Sequence, residues 1–408
     1  MRVAFLLLTS CATQVPNPSG GGDGSAAAVT YYRDVAPILA ENCWGCHGEN
    51  GIAFRSEGYE YAAATSGIIA EKTAEGSMPP WLPSDACMPL DHVRRLTEEQ
   101  KATLAEWDAI GAPEGDPADG PAIAREDPSQ AEVFVGMEEP YTPQAGIDDY
   151  RCFVLDPHLA GDGWVTALEV APGNTRIVHH VILFTDPSDR SPELDAAEDG
   201  PGYTCFGDPG FTDTTLLGGW VPGTSRVETP EGTGMPISAG EKIVMQIHYY
   251  PQNDPGGADQ TVVGFDLAND PVTSLVSVPI LDYDLNIPAG VGEHVEGASW
   301  TNPYPIGVDV YGVTPHMHLL GSRISLSNTR AAGGEDCWID IDDWDFQYQE
   351  FYWFQEPVRF ESGDRLDLSC TFDNSVGNLD NPSDPPIDVH WGERTTDEMC
   401  LAFVTFAL

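Results

Sequence analysis

The chain has 408 residues, with 18 basic against 65 acidic side chains and a formal net charge of −47. An acidic surface on that scale repels phosphates, which excludes binding to a nucleic-acid backbone, and it is easiest to carry in a salty medium. The 41% apolar content excludes a disordered chain, while 42 glycines and 34 prolines argue for turns and short strands over long helices.

At the N-terminus, Arg2 precedes the apolar stretch Val3 to Leu8 and then Leu8-Thr9-Ser10-Cys11. This looks like a bacterial lipoprotein signal over residues 1–11, with Cys11 as the lipidated residue. Residues 12–29 include Pro16-Asn17-Pro18-Ser19-Gly20-Gly21-Gly22 and read as a flexible tether. The expected location is the periplasm or cell surface of a bacterium, with the membrane reached only through a lipid on Cys11, since no apolar run approaches the roughly 20 residues of a membrane helix. Export agrees with the six cysteines outside Cys11, Cys43 and Cys46, namely Cys87, Cys152, Cys205, Cys337, Cys370 and Cys400. In an oxidising compartment an even number reads as disulfides, whose partners the sequence alone leaves open.

Residues 43–47 read Cys-Trp-Gly-Cys-His. In C-x-x-C-H the two thiols attach covalently to a haem and the histidine ligates its iron, all from a single helical turn; the bland alternative is a zinc or redox C-x-x-C. Upstream, Tyr31 to Leu39 predicts a short helix; downstream come Met78-Pro79-Pro80-Trp81 and then Leu96-Thr97-Glu98-Glu99-Gln100, opening a helix through Trp107. Over residues 30–117 this plan resembles a small all-α class I cytochrome c. The resemblance implies one covalently bound c-type haem on Cys43, Cys46 and His47. Met78 is the expected sixth ligand, a thioether that favours ferrous iron, with Met88 and His92 as weaker competitors. Met88 reads better as packing beside Cys87.

Residues 118–131, rich in Pro, Gly, Ala and Asp, read as a linker. Beyond it, short β-branched and aromatic runs recur between turn clusters: 152–155, 165–170, 177–184, 242–250, 261–267, 307–313, 323–326, 365–372 and 399–406. That texture predicts β-sandwich, and its length predicts two, over 132–278 and 279–408, with a break near residues 272–284.

Three histidine motifs stand out there: His179-His180 in an apolar run, His248 in Gln246-Ile-His-Tyr-Tyr250, and His316-Met317-His318. On a strand His316 and His318 share a face, whereas His179 and His180 point to opposite faces and can share an ion only where the strand ends or bulges. A lone strand histidine such as His248 is more often simply packed. The ordered set, followed by Asp397-Glu398-Met399-Cys400, resembles the copper type II, ascorbate-dependent monooxygenases, the family of peptidylglycine alpha-hydroxylating and dopamine beta-monooxygenases. Leu217 to Gly223, Ala239-Gly240-Glu241 and His390 to Met399 match the family's texture as well.

The resemblance implies two tandem jelly-roll-like antiparallel sandwiches and two coppers. His179, His180 and His248 would hold the copper that passes an electron. His316, His318 and Met399 would hold the one that meets oxygen, where an added thioether favours the cuprous state. It implies a Cys370–Cys400 disulfide and makes Cys152–Cys205 a reasonable second one, leaving Cys87 and Cys337 unassigned. The peptide-amidating member places an arginine where this chain has Thr314, and an asparagine and a tyrosine where it has Leu401 and Phe403, which argues against a peptide carboxylate as substrate. His158, His294 and His390 fall outside the ligand set, with His390 the best candidate for a supporting role close to Met399.

The function expected from these readings is copper-dependent hydroxylation of a C–H bond in a small neutral or cationic substrate, using O2. Electrons would come from ascorbate, from a periplasmic donor, or from the fused haem module feeding the all-histidine copper. The alternative is a non-catalytic haem and copper electron-transfer or copper-holding protein on the same scaffold. Because the ligands are neutral, the acidic excess is expected on the outer surface and away from both sites.

Overall fold

The computed structural model describes residues 28–48, 53–120, 131–144, 148–221, 224, 226–251, 254–346 and 348–408. The lipoprotein-type signal with Cys11, the tether up to residue 27 and linker residues 121–130 lie outside them. The architecture is mainly β, in several sheets, with a helical N-terminal module.

The module gathers short helices around one small core. Tyr31–Val35, Ala36–Asn42 and Trp44–His47 lead into Tyr59–Ala64 and Ser66–Glu75, and Glu98–Ala109 closes the set. The closing helix starts where Thr97 accepts the Gln100 amide hydrogen bond and the Gln100 side chain accepts that of Thr97, a reciprocal cap that satisfies two otherwise orphaned donors. Tyr31, Leu39, Leu104 and Trp107 are buried together, and the Trp107 indole donates to the Pro113 carbonyl.

The segment between Pro79 and Glu98 leaves this core and straps the module to the C-terminal half. Pro83 bridges to Ile341 and Leu90 to Phe354. Trp81, Leu82 and Met88 pack against the C-terminal core, so packing is indeed where Met88 ends up. Cys87 and Cys337, unassigned from sequence, form a disulfide across this contact. The other bridges are Cys152–Cys205 and Cys370–Cys400.

One nine-stranded sheet runs through both halves. Its path is Val133–Gly136, Val262–Ala268, Gly163–Ala171, Thr233–Ile237, Thr273–Leu281, Leu401–Ala407, Val308–His316 and Tyr352–Phe360, with Val227–Glu228 added beside Gly163–Ala171. The expected junction near residues 272–284 is occupied by Thr273–Leu281, which pairs in parallel with Thr233–Ile237 and antiparallel with Leu401–Ala407. A five-stranded sheet (Tyr203–Thr204, Asp149–Leu155, Lys242–Tyr249, Val178–Asp186, Leu216–Trp220) supplies the other strands of the N-terminal half. A four-stranded sheet (His294–Thr301, Arg365–Phe372, Gly321–Thr329, Glu335–Ile341) and a two-stranded one (Asn286–Ile287, Val389–His390) do so for the C-terminal half.

Each half has its own core. Val165, Val181, Leu183, Ile247 and Phe265 fill the first, and Ile324, Trp338, Phe360, Phe372 and Val404 fill the second. Trp353, on a strand of the C-terminal half, packs into the first core, so the two halves share buried surface. This joint lies beside the histidines.

Candidate metal centres

His179 and His180 stand near the start of strand Val178–Asp186, and the pairing with Lys242–Tyr249 shifts register between Val178 and His180. That bulge turns adjacent side chains toward one point, which an unbroken pleat does not allow. Their Nδ1 atoms lie 3.2 Å apart. His180 is the cross-strand partner of His248, and one ring nitrogen from each of the three histidines lies within 4.8 Å of the others.

Burial makes these imidazoles neutral. It pushes His179 down to about 3 and His180 well below the ordinary histidine range, and it lowers His248 against the opposing pull of Asp148. Both ring nitrogens of His248 are buried without a hydrogen-bond partner. A buried polar atom left so is costly unless something else satisfies it, and a metal ion between the three neutral imidazoles would satisfy one of these two nitrogens. The donor set therefore fits copper.

The His248 ring stacks on Tyr150, its partner on the neighbouring strand, with centroids 4.1 Å apart and planes 6° from parallel. The Tyr150 hydroxyl donates to the Glu393 carbonyl. Asp148 stands 3.6 Å from His248 Nε2. At that distance the carboxylate acts on the ring through its charge and not through a hydrogen bond.

His316 ends strand Val308–His316, and His318 follows two residues on, with ring centroids 5.0 Å apart. His316 Nδ1 donates to Gln349 Oε1, and the Gln349 amide donates in turn to the Phe346 carbonyl. His318 Nδ1 donates to the Asp397 carbonyl. Both rings are thereby held with Nε2 as the free lone pair, the tautomer a metal needs. Burial lowers His316 to about 4 and His318 well below the usual range.

Met399 is buried and precedes strand Leu401–Ala407, whose Leu401 pairs with His316. Cys400 ties that point to Cys370. Glu398, fully buried, accepts from the amides of His318, Leu320 and Met399. Burial raises its carboxyl to about 8 against those donors.

Phe346 connects the two groups. It stacks on His179 at 4.9 Å and meets the His318 ring edge-on at 5.9 Å. Asp148, Tyr150, Phe346 and Gln349 went unnoticed in the sequence, and Glu398 was quoted there only as a neighbour of Met399. Asp148 and Tyr150 were open to a reading by register with His248, while Phe346 and Gln349 arrive from a loop that no spacing marks.

Two expectations need correction. Carboxylates do not stay clear of the sites: Asp148 stands 3.6 Å from His248 Nε2, and Glu398 accepts the backbone amides of the turn that presents His318. His390 does not support Met399 with its side chain, which is exposed; only its carbonyl takes part, accepting the Glu398 amide. His158 is also exposed, and the His294 ring pairs with Glu296.

In the module, Cys43 and Cys46 are free thiols on one turn, with the His47 and Cys46 amides both donating to the Cys43 carbonyl. His47 Nδ1 donates to the Phe54 carbonyl at 2.8 Å, leaving Nε2 available. This geometry fits the haem attachment expected of C-x-x-C-H. Met78 is half-buried, just past the helix Ser66–Glu75. His92 is exposed beside Asp91.

The fold is mainly β in several sheets, and its clustered imidazoles form a neutral donor set of the kind that suits copper. Residues 284–407 match the family model described as copper type II ascorbate-dependent monooxygenase, C-terminal domain. The chain is 25% identical over 268 residues to DBH-like monooxygenase protein 1 of Gallus gallus, covering 59% of this chain and 41% of that protein. The Mus musculus protein of the same name is 24% identical over 258 residues, covering 57% and 40%. The Homo sapiens one is 23% identical over 265 residues, covering 57% and 40%. The chain thus spans about two-fifths of the length of these curated relatives.

Proposed function

We propose that this is an exported two-copper monooxygenase that hydroxylates a C–H bond of a small neutral or cationic organic compound with O2, drawing electrons from ascorbate or from a c-type haem on its own N-terminal module. The observation that carries the reading is the facing of two histidine groups, one of three imidazoles and one beside Met399, across the single ring of Phe346. Copper held by His316, His318 and Met399 would supply the one-electron chemistry that activates oxygen, and copper held by His179, His180 and His248 would store the further electron. Around them, Gln349 and the Asp397 carbonyl hold the imidazole protons away from the ligating nitrogens.

The substrate class follows from what the His316 strand lacks. Thr314 and Phe403 are cross-strand partners there, and neither offers a cation to a carboxylate. In the test, the full chain loaded with copper is given ascorbate, isotopically labelled oxygen gas and a panel of phenethylamines, lipids and small aromatic compounds. The expected result is a product carrying one labelled oxygen atom, absent from the Met399→Ile variant. A labelled product formed equally well by that variant would overturn the assigned oxygen site.

A further inference from the structure

The connection that carries Phe346 and Gln349 runs between two edge strands. Glu335–Ile341 ends the four-stranded sheet, and Tyr352–Phe360 ends the nine-stranded one. An edge strand presents unpaired amides and carbonyls, and here the strap of the N-terminal module takes up some of them on both strands. Along the first, Pro83 bridges to Ile341, the Ser84 amide donates to the Asp340 carbonyl at 2.8 Å, and the Met88 amide donates to that of Cys337 at 3.1 Å. The Cys87–Cys337 disulfide stands beside these bonds. Along the second, Leu90 bridges to Phe354, the Asp91 amide donates to the Trp353 carbonyl at 2.8 Å, and the Gln355 amide donates to that of Pro89 at 3.0 Å. The Gln355 side chain donates to the Leu90 carbonyl, and Trp81 meets Tyr352 edge-on at 5.6 Å. The strap thus crosses the two strands close to where the connection leaves one and enters the other. Arg94, just past the second crossing, pairs at 2.7 Å with half-buried Glu350, the residue that follows Gln349.

We infer that the strap positions the His316 centre, with Arg94 as its positioning residue: it fixes both ends of the connection and, through Glu350, the placing of Gln349 against His316. This rests on His316 being a metal ligand, as read above, and gives the N-terminal module a part in the site that is mechanical. The Gln349 amide makes two directional bonds, its oxygen accepting from His316 Nδ1 and its NH2 donating to the Phe346 carbonyl. Such bonds weaken steeply with misalignment, and a long side chain freed from them spreads over several rotamers. With Gln349 displaced, the His316 ring loses the partner that keeps its proton on Nδ1 and its Nε2 lone pair open to a metal. His318 takes its orientation from the Asp397 carbonyl instead, so the two neighbouring rings should respond differently to a change at Arg94.

The experiment uses the full chain, metal-free and labelled with 15N-histidine. Nuclear magnetic resonance reports how fast the ring N–H protons of His316 and His318 exchange with solvent, each assigned by its alanine variant. Arg94→Leu should speed exchange at His316 several-fold and leave His318 unchanged. Glu350→Gln, which removes the pair without leaving an unpaired carboxylate, should do the same. The swap Arg94→Glu/Glu350→Arg should restore most of the protection. In copper(I) titrations against a chromogenic chelator, each single variant should weaken one of the two sites by about tenfold, the usual consequence of losing the partner that orients a ligand. The inference is overturned if His316 exchange is unchanged in both single variants, or if His316 and His318 accelerate together, which marks general loosening. It is also overturned if the swap exchanges as fast as Arg94→Leu. An unaltered protein that takes up no copper would sink the metal reading, while ring exchange in the metal-free protein still decides whether the strap holds His316.

Discussion

Three backbone amides, those of His318, Leu320 and Met399, aim at the two oxygens of Glu398, so this carboxylate pins the turn that presents His318. A glutamine in its place has only one acceptor oxygen, and its NH2 would face an amide N–H. Glu398→Gln should therefore lower stability by about 1–3 kcal/mol, the usual cost of an unsatisfied buried group. Denaturant unfolding of the metal-free protein checks this, and an unchanged midpoint would mean that the turn is held otherwise. The six copper-ligand candidates came from the resemblance of their ordered set to a known family, and the structure gathers His179, His180 and His248 in one cluster and sets the His316 and His318 rings side by side. Glu398 was visible only as part of a matching string, and nothing local distinguishes a pin from a surface acid. Phe346 and Gln349 were illegible for a different reason. Their role comes from a loop laid across two sheets, and sequence distance from His179 or His316 says nothing about that.

Among the elements, the strands read from β-branched runs were found within a few residues, because buried strands of these sheets are written in apolar side chains. Lys242–Tyr249 is buried along nearly its whole length. His294–Thr301 was missed: it alternates between half-buried and exposed positions, with Glu296, Gly297 and Ser299 breaking the apolar texture. Helix Ser66–Glu75 was missed because it buries only Ile69 and Thr73 and so shows little periodicity. The strap was the largest omission, since Cys87 and Cys337 find each other only through the fold. Their bridge closes a loop of 250 residues, for which chain-entropy arguments give stabilisation on the order of 5 kcal/mol. A Cys87→Ser/Cys337→Ser variant should melt lower and be cut by protease in the strap, around residues 79–95, before either sandwich is attacked. Equal resistance to protease would show that the backbone bridges and the Arg94–Glu350 pair suffice to hold the module.

For the whole molecule, the shared nine-stranded sheet makes the two halves one framework, with His316 at the end of one of its strands and His179, His180 and His248 on the five-stranded sheet of the N-terminal half. The continuity depends on a parallel pairing at Thr233 and Thr273, which no hydropathy pattern announces. The net charge of −47 is compatible with this framework because buried carboxylates such as Asp259 and Glu398 accept several hydrogen bonds. The remaining charge faces solvent and disfavours anionic substrates. The central claim is that the framework holds copper at two chemically different places. X-ray absorption at the copper edge, on protein dialysed against copper and reduced with ascorbate, tests it most directly. It should find two coppers per chain with a sulfur scatterer, one copper with sulfur retained in His179→Ala/His180→Ala, and no sulfur in Met399→Ile. A single copper in the unaltered protein, or sulfur scattering that survives Met399→Ile, would contradict it.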